Sequence, residues 1–375
     1  MLKKIALITT GHPPFDERIY WKFALSISSN DYETAIFCST ENINEKKQNI
    51  LLKGFKDDSL SRKEKLNKLF HLISEFNSDL IICFETSAII PAYKYKKSNN
   101  NKCKIISDIT EWYPENVAFK YSGVKKWISY FTLYFFNIYA TNLADILILG
   151  EKNKIRRYEL ISPTKSKVII SYYPVLEYFN HYDCTVEAKN LYLAFSGKLS
   201  AERGFYRFID VINSIAQRHQ EITFIVVLSG QKLLQEDKLA IRNLFKHKNI
   251  SLELVLFSSY DKISEGLKDV HICFDLRDLK FVYDSIPIKF YEYLACGKPV
   301  IYSNIKTITE EFGNINFGFL VDPYNIDEIV SKIEIYLSNK ELLIEHSQNG
   351  RAIIKNGKNW ETESEKLIKL IRNLI

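Results

Sequence analysis

Two carboxylates stand close together in the segment DSIPIKFYEYLACGK, residues 284–298, with seven residues between Asp284 and Glu292. Because a carboxylate accepts hydrogen bonds through both oxygens, such a pair suits the vicinal hydroxyls of a sugar or a ribose. Pro287 favours a helix start, where its missing N–H would be unpaired anyway. The N–H groups that open such a helix favour a phosphate nearby. The segment therefore predicts a site for a sugar or nucleotide that carries phosphate.

The neighbouring runs place these side chains on defined elements. VHICFDL precedes the segment and PVIYS follows it, and both are predicted to be buried strands. Asp284 then lies on the loop that leaves one strand, and Glu292 lies on the next helix. Open parallel sheets bind their ligands at the carboxyl ends of the strands, which is where this loop lies. The alternative is a solvated loop acid and a helix-surface acid. Lys289 is predicted to pair with Asp284 or Glu292, and its alternative is a contact with phosphate.

Short apolar runs alternate with longer amphipathic segments along the first half of the chain. The runs predicted to be strands are KKIALITT, YETAIFCS, DLIICFE, CKIISD, DILILG and KVIIS. The spacing of apolar residues predicts helices over 17–29, 60–77 and 125–143. This alternation predicts a parallel sheet with helices on both of its faces.

The alternation breaks over residues 171–190, which contain a proline and no clean period, and then restarts. The later strands are predicted at LYLAFSG, ITFIVVLSG, SLELVLF, VHICFDL and PVIYS, with helices over 204–218, 232–246 and 287–296. The predicted fold is α/β, with two tandem Rossmann-like domains that each contain a doubly wound parallel sheet. The predicted boundaries are 1–175 for the first domain, 176–190 for a linker, 191–355 for the second domain and 356–375 for a final helix.

Composition limits the classes of function. The 375 residues suit two domains, and 46% apolar residues suffice for two cores. A net charge of +6 fits an anionic ligand or an acidic membrane surface, but is too weak and dispersed to predict nucleic-acid binding. The six cysteines show no C-x-x-C spacing, so we expect buried free thiols and no zinc. No secretory leader or membrane-spanning run is evident, and we expect a cytoplasmic protein.

The segment from residue 284 to Ile301 resembles the retaining glycosyltransferases of family 4, which have the GT-B fold. In that family an acid, seven residues and a second acid run into a helix that ends in an A-x-G-K-P-V-I type segment; here Asp284 takes the first place. The resemblance implies that Asp284 touches the hydroxyls of the donor sugar and that Glu292 touches the ribose. It further implies that the donor contacts Ser285, Ile286, Pro287, Ile288 and Lys289.

A second motif, FSGKLSAERG at 195–204, follows a predicted strand and precedes a helix. The family has two basic residues here that bind the donor diphosphate, and this chain has Lys198 and Arg203 in exchanged order, after Gly197. Two cations can still neutralise a leaving diphosphate in either order. The alternative is a pair of solvated loop charges.

A weaker motif, LSGQK at 228–232, lies where the family has a turn near the nucleotide. Ser229 and Gly230 are the residues that could approach it, and a plain turn is an equal alternative.

The first loop, within TTGHPPFDERIYWKFALSIS, resembles the acceptor side of the family. Gly11 would let the backbone approach a sugar, and His12 could donate a hydrogen bond from the same loop. Asp16 is predicted to cap the following helix. Arg18 is predicted to contact an anion or, as an equal alternative, to form a structural ion pair.

The segment SDITEWYPE at 107–115 departs from the family, which has a histidine near the reacting centre. Thr110 stands nearby instead, so the histidine's role is predicted to fall to Glu111 or Asp108, or to matter less here. The catalytic set predicted from the resemblance is Asp284, Lys198, Arg203, Glu111 and Asp108.

The resemblance implies transfer of a sugar from a nucleotide sugar to a glycan or lipid-linked acceptor, without metal or cofactor. The final run NWETESEKLIKLIRNLI resembles the helix that returns to the first domain in this fold. The aromatic and basic run at 124–140 suits either a core helix or peripheral docking at the inner face of a membrane. Two other functions stay open: a sugar-nucleotide epimerase, and a non-catalytic partner subunit that binds nucleotide or another enzyme.

Overall fold

The computed structural model describes residues 2–109, 112–118, 120–184, 189–229, 235–257, 259–279 and 286–375. The chain divides into two compact units. The first unit comprises Met1–Tyr172 together with Thr362–Ile375, and the second comprises Tyr173–Glu361. The segment 173–190 belongs to the second unit rather than standing apart from both.

The first unit contains an eight-stranded sheet in the order β3-β4-β2-β1-β5-β6-β7-β8, parallel except for the hairpin of β3 and β4. Its strands are β1 (Lys4–Thr9), β2 (Glu33–Cys38), β3 (Ile43–Lys47), β4 (Ile50–Gly54), β5 (Leu80–Cys83), β6 (Lys104–Ile109), β7 (Ile146–Leu149) and β8 (Ser166–Ile169). A π-helical segment, Glu17–Ala24, runs into α1 (Leu25–Ser28), and the later helices are α2 (Arg62–Phe76), α3 (Ile89–Ser98), α4 (Tyr113–Ala118), α5 (Gly123–Leu143) and α6 (Ile155–Ile161).

The second unit contains a six-stranded parallel sheet in the order β11-β10-β9-β12-β13-β14. Its strands are β9 (Asn190–Ser196), β10 (Thr223–Ser229), β11 (Ile250–Val255), β12 (Ile272–Asp275), β13 (Val300–Ser303) and β14 (Gly318–Val321). Its helices are α7 (Phe205–Arg218), α8 (Gln235–Arg242), α9 (Ile288–Ala295), α10 (Lys306–Phe312), α11 (Ile326–Ser338) and α12 (Lys340–Lys355). A last helix, α13 (Trp360–Leu374), begins in the second unit and continues in the first.

The central strands of both sheets are buried along their length. All four residues of β5, β12 and β13 are buried, which is expected for parallel strands that helices cover on both faces. The six cysteines are buried and unpaired, as predicted. The predicted fold class, two doubly wound α/β domains with a final helix that returns to the first, is therefore confirmed.

Each sheet has one position where the strand order reverses. In the first unit it lies between β1 and β5, and in the second between β9 and β12. The connections that leave such neighbours run to opposite faces of the sheet, so a crevice opens at their carboxyl ends. These two crevices are where each unit is expected to bind a ligand.

None of the helices in the described parts of the chain is long and apolar enough to cross a membrane.

Candidate functional site

The crevice of the second unit begins at the paired ends of β9 and β10. The hydroxyl oxygens of Ser196 and Ser229 lie 2.6 Å apart, and the Gly197 N–H donates to the Ser229 carbonyl at 2.8 Å. Ser229, which the sequence predicted to approach a nucleotide, is therefore held against the loop that follows β9. Its predicted neighbour Gly230 lies outside the described residues.

Gly197 makes room for a lysine at this point. Its φ of +109° is one that residues with side chains rarely adopt, and a Cβ placed on it would lie 1.9 Å from Lys289 Nζ. That ammonium group comes from α9 and donates to the Ser196 carbonyl at 2.6 Å. The absence of a side chain at residue 197 therefore brings the cation of Lys289 onto the loop after β9.

The ammonium of Lys289 is held in an unfavourable environment. Burial, with the positive charges of Arg203 and Arg277 nearby, lowers its pKa to about 8, although Asp275 and Glu292 oppose the shift. These four charged side chains therefore lie near enough to Lys289 to shift its pKa. Lys289 is partly buried, and a strongly shifted pKa of this kind is common at functional sites.

The loop after β9 packs directly on the loop after β12. A Cβ on Gly204, whose φ is +83°, would lie 1.9 Å from the Leu276 carbonyl oxygen. The Asp278 N–H also donates to the Glu202 carbonyl at 2.9 Å. Arg207, in the first turn of α7, donates to the Leu276 carbonyl at 2.9 Å. These contacts hold the Lys198–Arg203 segment at the position where the strand order reverses.

Lys198 and Arg203 are both exposed on this segment. Within the described ranges neither side chain forms a hydrogen bond or an ion pair. The two predicted diphosphate-binding cations are therefore free to meet an anion from solvent, and Arg203 lies within electrostatic reach of Lys289.

A cluster that the sequence analysis did not single out lies at the ends of β12 and β13. Arg277 Nε donates to Asp275 at 2.7 Å, the Tyr302 hydroxyl donates to the same carboxylate at 3.0 Å, and the Ser303 hydroxyl donates to the Arg277 carbonyl at 2.8 Å. Burial opposes the charge of Arg277, but Tyr302 and Asp275 outweigh it and raise its pKa. The signal in the sequence was the segment Asp275-Leu276-Arg277, an acid and a basic residue at the end of the apolar run VHICF.

The remaining predicted donor residues lie at the start of α9. Pro287 is the cap residue that precedes the helix, Ile286 is buried, and Ile288 is partly buried. Glu292 is 5% exposed and lies on the same helix as Lys289. Asp284 and Ser285 lie outside the described residues, so their predicted roles stay predictions.

In the first unit, the crevice between β1 and β5 contains Glu85, which the sequence analysis also missed. Its carboxylate accepts from the Thr9 hydroxyl at 2.6 Å and from the backbone N–H groups of Thr10 at 2.9 Å and Gly11 at 3.0 Å. His12 Nε2 lies 3.6 Å from the same carboxylate. The acid thus holds the Gly11 and His12 loop that the sequence placed on the acceptor side.

The other nitrogen of His12 contacts Asp16, at 3.1 Å. Asp16 also caps the π-helical segment, as predicted, by accepting from the Arg18 N–H at 2.9 Å and the Ile19 N–H at 3.2 Å. Burial opposes ionisation of Asp16, but His12 and these N–H groups outweigh it and lower the pKa of the carboxyl.

A nearby cavity of about 310 Å³ is lined by Thr10, Ser39, Leu60, Arg62, Lys65, Leu66 and Ser87.

Arg18 and Asp108 form a buried ion pair with each other. Arg18 Nε and Nη2 donate to the two oxygens of Asp108 at 2.5 and 2.7 Å, and Nη2 also donates to the Ile170 carbonyl at 3.1 Å. This is the structural alternative that the sequence left open for Arg18. Because Asp108 is only 2% exposed and both its oxygens are engaged, its contacts do not favour the catalytic role predicted for it. Glu111, the other acid predicted here, lies outside the described residues.

Among the described residues, no group of three or more His, Cys, Asp or Glu side chains is arranged to hold a metal ion. Metal independence stays a prediction.

Comparison with known families identifies the chain. Residues 184–373, just over half of it, match the family model described as Glycosyl transferases group 1. The chain belongs to the group 1 glycosyl transferases. For this glycosyl transferase, the matched range includes the β9, β12 and α9 residues of the second crevice. The comparison with curated proteins found no significant match.

Solved structures resemble the glycosyl transferase over its full length. Sucrose-phosphate synthase from Thermosynechococcus elongatus has a TM-score of 0.77 at 14% identity, with 99% of each chain covered. A glycosyltransferase from Rickettsia africae has a TM-score of 0.69 at 14% identity, covering 100% of this chain and 98% of its own. HepE from Anabaena, in complex with UDP-glucose, has a TM-score of 0.70 at 13% identity, with 99% of each chain covered. At such identities the likeness shows the fold alone, and that fold is the predicted GT-B fold.

Proposed function

We propose that this group 1 glycosyl transferase moves a hexosyl unit from a nucleotide sugar to a glycan or lipid-linked acceptor, with retention, as in family 4. The proposed role is synthesis of a surface polysaccharide or glycoconjugate, on the cytoplasmic side of a membrane. The observation that carries the proposal is that the loop after β9 contains the exposed Lys198 and Arg203 and receives the ammonium of Lys289 at the Ser196 carbonyl. Three cations at the point where the strand order reverses suit a diphosphate.

The proposed chemistry follows from the charges. When the bond between the sugar carbon C1 and the diphosphate oxygen breaks, negative charge develops on the diphosphate and positive charge on the sugar ring. Lys198 and Arg203 are exposed and can approach the diphosphate, while Lys289 is already fixed beneath it by Ser196. Preorganised charges of this kind stabilise a transition state without reorganising when it forms. With three cations present, the leaving group needs no divalent metal.

The acids are proposed to position the donor. Glu292, buried on α9, is proposed to accept from the ribose hydroxyls, and Asp284 is proposed to accept from the hydroxyls of the sugar. The acceptor is proposed to lie against the Gly11 and His12 loop, whose conformation Glu85 holds. HepE is similar in fold and was determined with UDP-glucose, which supports UDP-sugars as the first donors to test.

A thermal-shift screen with UDP-, GDP-, ADP- and dTDP-sugars tests donor binding, because a ligand that binds the native state raises its apparent stability. Loss of one charge-assisted contact to phosphate is worth roughly 1.5–3 kcal/mol, or about 10- to 150-fold in affinity. We expect losses of that size from Lys198→Ala and from Arg203→Ala. Glu292→Ala should abolish the shift. Lys306→Ala, which removes an exposed lysine from α10, is the matched control and should leave affinity unchanged.

Turnover separates the proposal from its alternatives. Slow release of sugar from a bound donor in the absence of acceptor supports a transferase. Nucleotide binding with no release or transfer under any pairing would instead indicate a non-catalytic partner subunit. Conversion of the donor to its epimer would indicate an epimerase.

A further inference from the structure

Helix α5 exposes a continuous stripe of large apolar side chains. Six of them are between 49 and 74% exposed: Val124, Trp127, Ile128, Phe131, Phe135 and Tyr139. At 3.6 residues per turn they fall within an arc of about 120°. The rings also contact one another, since Trp127 stacks on Phe131 at 6.1 Å between centroids and Phe131 stacks on Phe135 at 6.5 Å.

The opposite face of α5 already anchors the helix to the first unit. Asn137, Ala140 and Thr141 are buried there. Asn137 donates to the Tyr158 hydroxyl at 3.3 Å, and the Thr141 and Ser162 hydroxyl oxygens lie 2.9 Å apart. The unit packs on the helix through these residues and through the partly buried Tyr134, Ile138 and Leu143, and it leaves the six-residue stripe outward.

The size of this stripe indicates a function. An aromatic side chain has roughly 150–250 Å² of surface, so the four half-exposed rings present on the order of 400 Å². The two aliphatic residues bring the stripe to the upper end of the roughly 300–600 Å² found for the largest patch on a monomeric protein, which is often functional.

The charged residues of α5 itself are all basic, and Glu115 on α4 lies near Tyr130 of this helix. Lys120, Lys125 and Lys126 are exposed at the first turn of α5 or just before it, and the helix itself contains no Asp or Glu from Gly123 to Leu143. We propose that α5 docks this enzyme on an anionic lipid surface, with the aromatic stripe among the acyl chains and the lysines at the headgroups. Trp127 and Tyr139 lie at the two edges of the arc of about 120°, where such side chains suit the boundary between acyl chains and headgroups.

Charge also favours lipid over a second copy of the chain. Two copies of this face would bring lysines together without a carboxylate from either helix, which disfavours association. Anionic headgroups complement the same lysines. The inference goes beyond donor transfer, since it concerns a surface on the first unit only.

Flotation of the full-length protein with vesicles tests the inference. We expect binding to vesicles of equal parts phosphatidylglycerol and phosphatidylcholine, and weaker binding to phosphatidylcholine alone. The double variant Phe131→Ser, Phe135→Ser should lower the partition coefficient more than tenfold on both. Leu160→Ser, which removes a 78% exposed leucine elsewhere on the first unit, is the matched control and should change nothing.

Substitution of the lysines should affect binding to anionic vesicles but not to neutral ones, unlike substitution of the phenylalanines. At about 1 kcal/mol for each lysine near an anionic surface, the double variant Lys125→Gln, Lys126→Gln should bind anionic vesicles about 25-fold more weakly, with little change on neutral ones. Added salt should reduce the difference.

Three results would overturn the inference. The first is that the parent protein does not float with vesicles, and the second is that the double phenylalanine variant floats as well as the parent. The third is that the parent sediments as a dimer and the double variant as a monomer, which would assign the stripe to contact with a second copy. The thermal shift with nucleotide sugar should be the same in all of these variants. Failure of docking is thereby distinguishable from failure of donor binding.

Discussion

Replacing the lysine beneath the proposed diphosphate position should stabilise the empty protein while it weakens donor binding. The pKa of Lys289 is lowered from 10.5 to about 8, chiefly by burial. At 1.36 kcal/mol for each pKa unit, keeping this group protonated in the folded state costs roughly 3 kcal/mol. Lys289→Met retains the bulk of the side chain and removes this cost. It loses a hydrogen bond to Ser196 worth about 1 kcal/mol, so the net gain is roughly 2 kcal/mol.

The gain should depend on pH. Between pH 8 and 10.5 the unfolded chain binds a proton at residue 289 that the folded chain has lost, so the stability of the parent protein rises with pH across this window. The full cost is present below pH 8. Lys289→Met should therefore have its largest advantage at pH 7 and lose most of it by pH 10.

Thermal melting at the two pH values measures the effect. For a domain of 150–250 residues, 2 kcal/mol corresponds to an increase of roughly 4–8 °C. The exposed-lysine variant Lys306→Met is the control, with no expected change. Donor affinity at pH 7 should fall at least tenfold. If Lys289→Met melts lower than the parent by the same amount at both pH values, the ammonium is stabilised where it lies and the electrostatic account of this crevice is wrong.

Three further substitutions test other contacts by urea denaturation. Asp108→Asn leaves the charge of the buried Arg18 uncompensated and should lower the free energy of unfolding by about 3–5 kcal/mol. A loss below about 1 kcal/mol would show that this ion pair contributes little to stability. Gly204→Ala should lower the free energy of unfolding by more than about 1 kcal/mol, because a methyl group would collide with the Leu276 carbonyl. It should also weaken nucleotide binding. An unchanged nucleotide affinity would show that this turn does not shape the site. Glu85→Ala removes the acceptor of the Thr9 hydroxyl and of the Thr10 N–H, and leaves the Gly11 N–H only a 3.3 Å bond to Thr9. It should cost about 2–3 kcal/mol, and a neutral effect would mean that water replaces the acid.

The fold could be predicted because buried parallel strands correspond to continuous apolar runs in the sequence. LYLAFSG and VHICFDL each cover an observed strand to within two residues at either end. The antiparallel hairpin of β3 and β4 was missed because INEKK is polar and mostly exposed, and so lacks any apolar pattern. Strand β14, with only four residues, was missed as well.

The sequence could predict that Lys289 and Glu292 share one helix, because they are close in sequence. Their roles in a site stay predictions. Contacts that join distant strand ends could not be predicted. Glu85 accepts from residues about 75 positions earlier, and Arg18 pairs with a carboxylate 90 positions later. Such pairs depend on which strands lie side by side, and composition and spacing do not contain that information.

The structure of a complex with a nucleoside diphosphate that raises the melting temperature would test the central claim most directly. The diphosphate should lie in the crevice between β9 and β12, with its oxygens within hydrogen-bonding distance of Lys198, Arg203 and Lys289. A nucleotide bound elsewhere on the chain, with these three side chains free of contact to it, would contradict the account.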